Sequence, residues 1–140
     1  MVNKKQTADL IPYKLESGQI LVYLQKRTAD APILPGQFSF FGGHMELNEK
    51  PEDAMIREIQ EELCFKPQNY EFLGSFEYPD WICHMYMEKV WENFENDIKV
   101  MEGEYGKFLS PKEVLNEKLL SNNDKKIISA LYKKVLRNEV

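Results

Sequence analysis

The segment spanning residues 43–65 constrains the fold more than any other part of the chain. It reads GHMELNEKPEDAMIREIQEELCF, a glycine turn followed by a predicted helix with Glu58, Glu61 and Glu62. Residues three and four apart share a helix face, so these carboxylates crowd together and destabilise an isolated helix. A hard cation such as Mg²⁺ or Mn²⁺ would offset this repulsion. The segment therefore indicates a metal-binding enzyme.

The helix is predicted to begin near Pro51, because the fixed φ of proline suits the first helical turn. Asn48 or Glu49 is expected close to the cap. At about 100° per residue, four apolar side chains fall on one side of the helix. They are Met55, Ile56, Ile59 and Leu63. Glu58 and Glu62 lie beside this stripe, so we expect the apolar face to pack on a sheet and the acidic face to line a cleft.

Short apolar or alternating runs predict the strands. They cover residues 8–15, 20–24, 38–41, 70–77, 82–90 and 106–109. The first two form a predicted hairpin, and Pro12 suggests an edge strand or a bulge. Ser110 and Glu113 have the spacing of a capping box, and apolar residues at helical spacing predict a last helix from about Asn123. The pattern is that of an α/β fold.

Composition fits one compact domain comprising residues 1–140, with 43% hydrophobic and 12% aromatic residues. The formal net charge of −5 disfavours a long nucleic acid as partner, because polyanion binding normally requires a basic face. A small phosphorylated ligand stays possible, since a bound divalent cation can supply local positive charge.

Two cysteines, Cys64 and Cys83, provide no disulfide framework, which favours a reduced, cytoplasmic setting. The first seven residues lack the apolar core of a signal peptide. Polar residues interrupt every hydrophobic stretch, so no membrane association is expected.

Residues 43–65 resemble the Nudix box, G-x5-E-x7-R-E-U-x-E-E-x-G-U, where U is a bulky aliphatic residue. The matching residues are Gly43, Glu49, Arg57, Glu58, Ile59, Glu61 and Glu62, and Phe65 fills the last hydrophobic position. The resemblance implies a Nudix-type α/β/α sandwich, with a mixed β-sheet between helices. Cys64 stands where the family has glycine, and a left-handed backbone there would cost on the order of 1–2 kcal/mol. Phe41 replaces the common proline before the glycine pair.

The resemblance implies a site for Mg²⁺ or Mn²⁺ in which Glu58 and Glu62 are the main metal ligands. Glu61 and the backbone carbonyl of Gly42 are expected to contribute. Mg²⁺ typically takes a few carboxylates and keeps positions for water and phosphate oxygens.

Two further residues of the box are expected to support the ligands. In the family pattern Arg57 orients the acidic side chains through salt bridges, and Glu49 reaches back to Arg57. The general base is open: Glu58 or Glu61 could serve, or a carboxylate from the loop at residues 101–105. In that loop we favour Glu102 over Glu104 as a further ligand or base.

Four residues are candidates for substrate contact. Arg27 ends a strand and is expected to point toward substrate phosphates, although a solvated strand end explains it nearly as well. The backbone at Gly43 is expected to approach metal or phosphate. Glu46 either touches phosphate-bound metal or faces solvent, and Phe38 either stacks on a nucleobase or packs in the core or at the rim.

The resemblance implies a metal-dependent hydrolase that cleaves the pyrophosphate linkage of a nucleoside diphosphate derivative. The leading substrate is a free nucleoside triphosphate, including oxidised forms, with nucleotide sugars or ADP-ribose close behind. A non-catalytic nucleotide-binding sensor is the rival from another class, and an RNA-end-processing enzyme is a further one. The family resemblance is also compatible with a homodimer.

Overall fold

The computed structural model describes residues 4–138, which form one mixed β-sheet packed against helices. The strands are β1 (Lys5–Glu16), β2 (Gln19–Lys26), β3 (Phe38–Ser39), β4 (Phe41–His44), β5 (Glu71–Tyr78), β6 (Trp81–Lys89) and β7 (Tyr105–Leu109). The helices are α1 (Pro51–Leu63), α2 (Phe94–Asp97), α3 (Pro111–Asn116) and α4 (Asn122–Asn138). The predicted α/β class is confirmed. No helix in this part of the chain is long and apolar enough to cross a membrane.

The centre of the sheet is a fork in β1. One edge of β1 pairs with β4 from Thr7 to Leu10 and with β2 from Tyr13 to Glu16. Its other edge runs parallel to β6. Pro12 lies between the two antiparallel partners, where its missing N–H leaves no ladder bond unmade. The expectation of an edge strand or a bulge at Pro12 was therefore wrong, because the proline occupies the fork of a central strand.

The sheet has an apolar cluster on each face. Ala8 and Leu10 of β1 pack with buried residues of α1, whereas Ile11 and Tyr13 pack with buried residues of α4. Side chains of a strand alternate between faces, but the fork allows β1 to change partners without losing this alternation. The mixed sheet therefore lies between α1 and α4, as the resemblance implied.

The helix α1 begins at Pro51 as predicted, but its cap differs from the prediction. The N-cap residue is Lys50, whose backbone is extended and whose side chain makes no capping hydrogen bond. A residue before proline is disfavoured in the helical region, which accounts for this extended conformation. Asn48 instead adopts a positive φ of 65° in the preceding turn. Three residues of the predicted apolar stripe, Met55, Ile59 and Leu63, are fully buried, and the fourth, Ile56, is partly buried against the same cluster.

The remaining elements agree closely with the predicted ones, with two differences. The strand predicted at residues 38–41 is divided at Phe40, because β3 pairs with β2 while β4 pairs with β1. The short helix α2 was not predicted. Its four residues are too few for a periodic pattern, although Phe94 anchors it in the core at 0% exposure. The capping box of Ser110 and Glu113 is present.

Cys64 ends α1 in the left-handed conformation expected at this position, with φ 58° and ψ 32°. Its backbone N–H donates to the carbonyl of Gln60 at 3.1 Å. The side chain is exposed. The strain of a non-glycine residue at this point is therefore not offset by packing of the thiol.

Replacing Cys64 by glycine is expected to raise the free energy of unfolding by about 0.5–1 kcal/mol. Relief of left-handed strain outweighs the greater flexibility of glycine in the unfolded chain. Urea denaturation monitored by circular dichroism measures the change. Cys64→Ala is the control and should leave stability near that of the parent, because alanine has the same strain. Equal stability of the glycine and alanine variants would contradict the prediction.

Candidate active site

Two glycines of β4 allow the sheet to approach the acidic face of α1. Gly42 has a φ of +147°, and a Cβ there would lie 1.9 Å from Oδ1 of Asp9. A Cβ on Gly43 would lie 2.6 Å from the carboxyl carbon of Glu58. Any side chain at either position would displace a carboxylate. The glycine pair thus forms the wall against which Asp9 and Glu58 are packed.

Arg57 organises the carboxylates on one side of this wall. Its Nε and Nη2 donate to the two carboxylate oxygens of Glu49 at 2.9 and 3.0 Å. Its Nη1 donates to Oε1 of Glu58 at 2.8 Å, and Nη2 also donates to the carbonyl of His44 at 3.1 Å. Paired guanidinium–carboxylate bonds of this kind fix orientation as well as charge. Arg57 therefore connects the loop before α1 to Glu58.

The electrostatics of this network are those of a satisfied ion pair. Hydrogen bonds from Arg57 and from the backbone N–H of Glu46 lower the pKa of Glu49 to about 2. The hydrogen bond to Glu49 is the main cause that raises the pKa of Arg57, and Glu58 adds to it. Both partners are thus charged at neutral pH. The supporting role predicted for Arg57 and Glu49 agrees with this geometry.

Unlike Glu49, Glu62 is a buried carboxylate that forms no ion pair among the described residues. Its side chain lies on α1 with only 4% exposure. Its Oε2 is buried and has no hydrogen-bond partner among the described residues. A buried polar atom without a partner costs about 1–3 kcal/mol, and more when it is charged. No cation from residues 4–138 pairs with this carboxylate, so Glu62 is an unsatisfied acidic group of the site.

Glu102 reaches Glu62 because the backbone before it is bonded to the end of α1. The N–H of Met101 donates to the carbonyl of Glu62 at 2.8 Å, and the N–H of Lys99 donates to that of Leu63 at 3.2 Å. These bonds satisfy two free carbonyls of the helix terminus. They also bring Glu102, rather than Glu104, to the Glu62 side chain, with which it shares a hydrogen bond.

Burial and the neighbouring carboxylates together raise the pKa of Glu62. Burial is the largest cause that raises this pKa to about 10. The hydrogen bond and charge of Glu102 come next, followed by the charges of Glu58 and Asp9. Without a cation, the folded protein therefore holds a proton on Glu62 at neutral pH.

Asp9 is a buried carboxylate that the sequence analysis missed. Its side chain lies on the α4 face of the sheet, where Sγ of Cys83 donates to its Oδ2 at 3.2 Å. It lies in the middle of β1, paired with Gly42 on one side and Met85 on the other. Burial raises its pKa to about 7, and the charges of Asp124 and Glu58 act in the same direction. Its signal in the sequence was an acidic residue within an otherwise buried strand pattern, Ala8-Asp9-Leu10. Only the fork brings it beneath the glycine pair.

Two other predicted residues are exposed at the margin of the site. The Glu61 side chain is 63% exposed, and its nearest cation is Nη1 of Arg57 at 3.9 Å. The Glu46 side chain is 71% exposed, with Oε1 4.0 Å from Nε of Arg57. Both therefore face solvent beside the Arg57 network and lie outside the pair formed by the buried Glu62 and the exposed Glu102.

The predicted substrate residues have different surroundings. Arg27 and Glu102 line the same cavity of about 200 Å³, and Nε of Arg27 donates to the carbonyl of Ile33 at 2.6 Å. Phe38 does not line this cavity. It is 5% exposed in the core, with the ammonium of Lys26 5.1 Å from its ring centre. Stacking of Phe38 on a nucleobase is therefore not possible in this structure, because the sheet pairing turns its ring inward.

The carboxylate and carbonyl oxygens of the site suit a hard divalent cation, although the described residues do not form a complete coordination site. No group of three or more His, Cys, Asp or Glu side chains in residues 4–138 has the spacing of a metal site. The Glu58 carboxylate is bonded to Arg57, and burial beside Glu102 raises the pKa of Glu62 to about 10, so Glu62 keeps a proton. The fit rests instead on the unpartnered Oε2 of Glu62 and on carboxylate oxygens, which Mg²⁺ and Mn²⁺ prefer. A cation could replace the proton on Glu62.

Comparison with known proteins decides the family. A family model described as the NUDIX domain matches residues 4–131, which is most of the chain. The chain belongs to the NUDIX domain family. The Nudix box residues are thus those that the structure assembles around Gly42, Gly43 and α1.

Individual proteins resemble this Nudix domain in sequence or in fold. The chain is 33% identical to the 8-oxo-dGTP diphosphatase of Escherichia coli K12 over 91 residues, which cover 64% of this chain and 69% of the relative. A MutT/nudix family protein from Enterococcus faecalis superposes with a TM-score of 0.78 at 19% identity over 98% of this chain. That superposition spans 64% of the Enterococcus chain. The NUDIX domain of Shewanella oneidensis NrtR, in complex with ADP-ribose, gives a TM-score of 0.76 at 16% identity over 96% of this chain and 90% of its own.

The buried charge of Glu62 predicts a pH-dependent stability. The folded pKa, about 10, lies above the ordinary value, so the contribution of Glu62 to stability is present below about pH 4.5 and is lost as the pH rises toward 10. Glu62→Gln imitates the protonated side chain. In chelator at pH 8, this variant should exceed the parent in free energy of unfolding by at least about 1 kcal/mol. The difference should shrink toward pH 5.

Urea denaturation at several pH values in chelator measures this difference. Glu61→Gln is the matched control, since it removes one charge from the same helix at an exposed position and should follow the parent. Parallel pH profiles for the parent and Glu62→Gln would show that the Glu62 carboxylate is not buried as described.

Proposed function

We propose that this Nudix domain is a metal-dependent hydrolase that cleaves the pyrophosphate linkage of a small nucleotide. The observation that supports it best is the buried Glu62 carboxylate, which lies beside Glu102 and whose Oε2 has no hydrogen-bond partner among residues 4–138. This arrangement lacks one positive charge, and a divalent cation of the kind that diphosphate chemistry requires would supply it. The Nudix family and the similarity to an 8-oxo-dGTP diphosphatase support the same reaction class.

Glu58, Glu62, Glu102 and the carbonyl of Gly42 would hold the cation, with Glu61 at the margin. When bound, the cation would neutralise phosphate oxygens and activate the attacking water. We assign the proton from this water to Glu102, because Glu58 is bonded to Arg57 and Glu62 is buried. Arg27 faces the cavity next to Glu102 and would bind a phosphate there. Arg57 and Glu49 keep Glu58 in place.

The leading substrate is a nucleoside triphosphate, including oxidised forms, because the Escherichia coli relative is an 8-oxo-dGTP diphosphatase. ADP-ribose and nucleotide sugars are the second candidate. The observation that favours them is the structural neighbour in complex with ADP-ribose. A catalytically silent sensor is less favoured, because every charged residue of the Nudix box is present in this chain.

Hydrolysis of a nucleotide panel tests the proposal. The panel holds normal and oxidised triphosphates, nucleotide sugars, ADP-ribose and dinucleoside polyphosphates, each with Mg²⁺, with Mn²⁺ and with chelator. We expect turnover that requires metal and is fastest with one triphosphate, measured as released phosphate or pyrophosphate. If nucleotides bind but none is hydrolysed with either metal, the hydrolase assignment is wrong and the sensor is favoured.

Glu62→Gln should lower metal-dependent turnover at least about a hundredfold while the fold is retained, since a ligand charge is lost where one must balance the cation. Initial rates with the best substrate measure the loss, and circular dichroism checks the fold. Asp53→Asn is the control, because it removes an exposed carboxylate from the first turn of α1 and should keep near-normal rates. Near-normal turnover of Glu62→Gln would remove Glu62 from the ligand set.

A further inference from the structure

A second feature lies on the other face of the sheet, between α4 and the edge strand β5. There a cavity of about 380 Å³ is lined by Leu73, Ala130, Lys133, Lys134, Arg137 and Asn138. None of these residues belongs to the box at residues 43–65. The cavity contains three cations in a chain whose net charge is −5.

The three cations share one face of α4. Ala130, Lys133, Lys134 and Arg137 follow the spacing i, i+3, i+4 and i+7, so their side chains are neighbours. Like charges at this spacing repel and weaken a helix. Favourable interaction with the helix dipole accounts for Arg137 in the last turn, but not for the two lysines before it. Ala130 leaves space where a longer side chain would fill the cavity.

One of the cations is held in place by the edge strand. Nζ of Lys134 donates to the carbonyl of Phe72 at 2.9 Å and lies 4.0 Å from Glu71. This carbonyl is next to the irregularity between Phe72 and Gly74, where β5 leaves its register with β6. Bulges of this kind free backbone groups from the ladder and redirect them. Lys134 is therefore pre-positioned as one wall of the cavity.

The other two cations have no such partner. Within residues 4–138, no carboxylate forms an ion pair with Lys133 or Arg137, and both side chains are exposed. We propose that this cationic cleft binds a compact phosphate-bearing anion, with Lys133 and Arg137 as its charged ligands. Arg137 can offer two parallel N–H groups and Lys133 a point charge, the usual pair of phosphate-binding side chains.

A compact anion fits better than a nucleic acid. The cations line a concave cavity and not an extended stripe, and the acidic net charge of the chain repels a long polyanion. A small anion needs only the local field of the cleft, which concave low-dielectric walls strengthen. The site is independent of the proposed hydrolase activity.

Isothermal titration calorimetry of the full chain with inorganic pyrophosphate, in chelator and at low ionic strength, tests the proposal. The parent should bind one equivalent, and the double variant Lys133→Gln with Arg137→Gln should bind at least about tenfold more weakly, because two charge-assisted contacts are lost. The control is Lys112→Gln with Lys118→Gln, which removes the same charge from exposed positions elsewhere and should retain the affinity of the parent.

Arg27→Gln separates the cleft from the active-site cavity, since pyrophosphate bound beside Glu102 would depend on Arg27. The proposal is supported if Arg27→Gln binds pyrophosphate as tightly as the parent while the double variant Lys133→Gln with Arg137→Gln binds it more weakly. The proposal is overturned if Arg27→Gln loses affinity for pyrophosphate while the double variant at Lys133 and Arg137 retains it. It is also overturned if the charge-matched control loses as much affinity as the double variant, or if the parent does not bind pyrophosphate. Tighter binding of a single-stranded oligonucleotide than of pyrophosphate at this cleft would overturn the choice of a compact anion.

Discussion

The Glu62 side chain is 4% exposed, and the charges of three other acidic groups, Glu58, Glu102 and Asp9, act on it. The chemistry proposed for the site depends on this burial. A desolvated carboxylate that lacks a cation is held protonated or is neutralised by an added charge. No ion pair within residues 4–138 supplies this charge, and the guanidinium of Arg57 is bonded to Glu49 and Glu58. The cation that we propose would supply this positive charge.

The sheet makes this arrangement possible through the fork in β1. Because β1 changes partner around Pro12, the β3–β4 segment enters between β1 and β2, and Gly42 comes to lie over Asp9. Gly43 then presents no side chain to Glu58. A continuous β1–β2 ladder would leave no room for this segment. The proline and the two glycines therefore act together, one by removing a hydrogen-bond donor and the others by removing side chains.

Much of this could be read from the sequence, because helix periodicity and the spacing of box residues are local. The helix from Pro51 and the left-handed Cys64 follow from such local rules. The residues that were misjudged depend on non-local pairing. Pro12 belongs to a fork that no window of sequence contains. The ring of Phe38 is turned inward because β3 pairs with β2, and Asp9 lies opposite Gly42 because β1 pairs with β4.

Glu58 and Glu62 show why position alone does not assign a role. They are one helical turn apart and both belong to the box, yet Glu58 is bonded to Arg57 whereas Glu62 has a buried oxygen without a partner. The charge of Glu58 is already balanced by Arg57, so Glu58 would contribute to cation binding mainly as a ligand held in a fixed orientation. At Glu62 the proposed cation would also replace a proton and offset the desolvation cost of the buried carboxylate. Binding of a cation should therefore be coupled to deprotonation of Glu62, and its affinity should rise with pH.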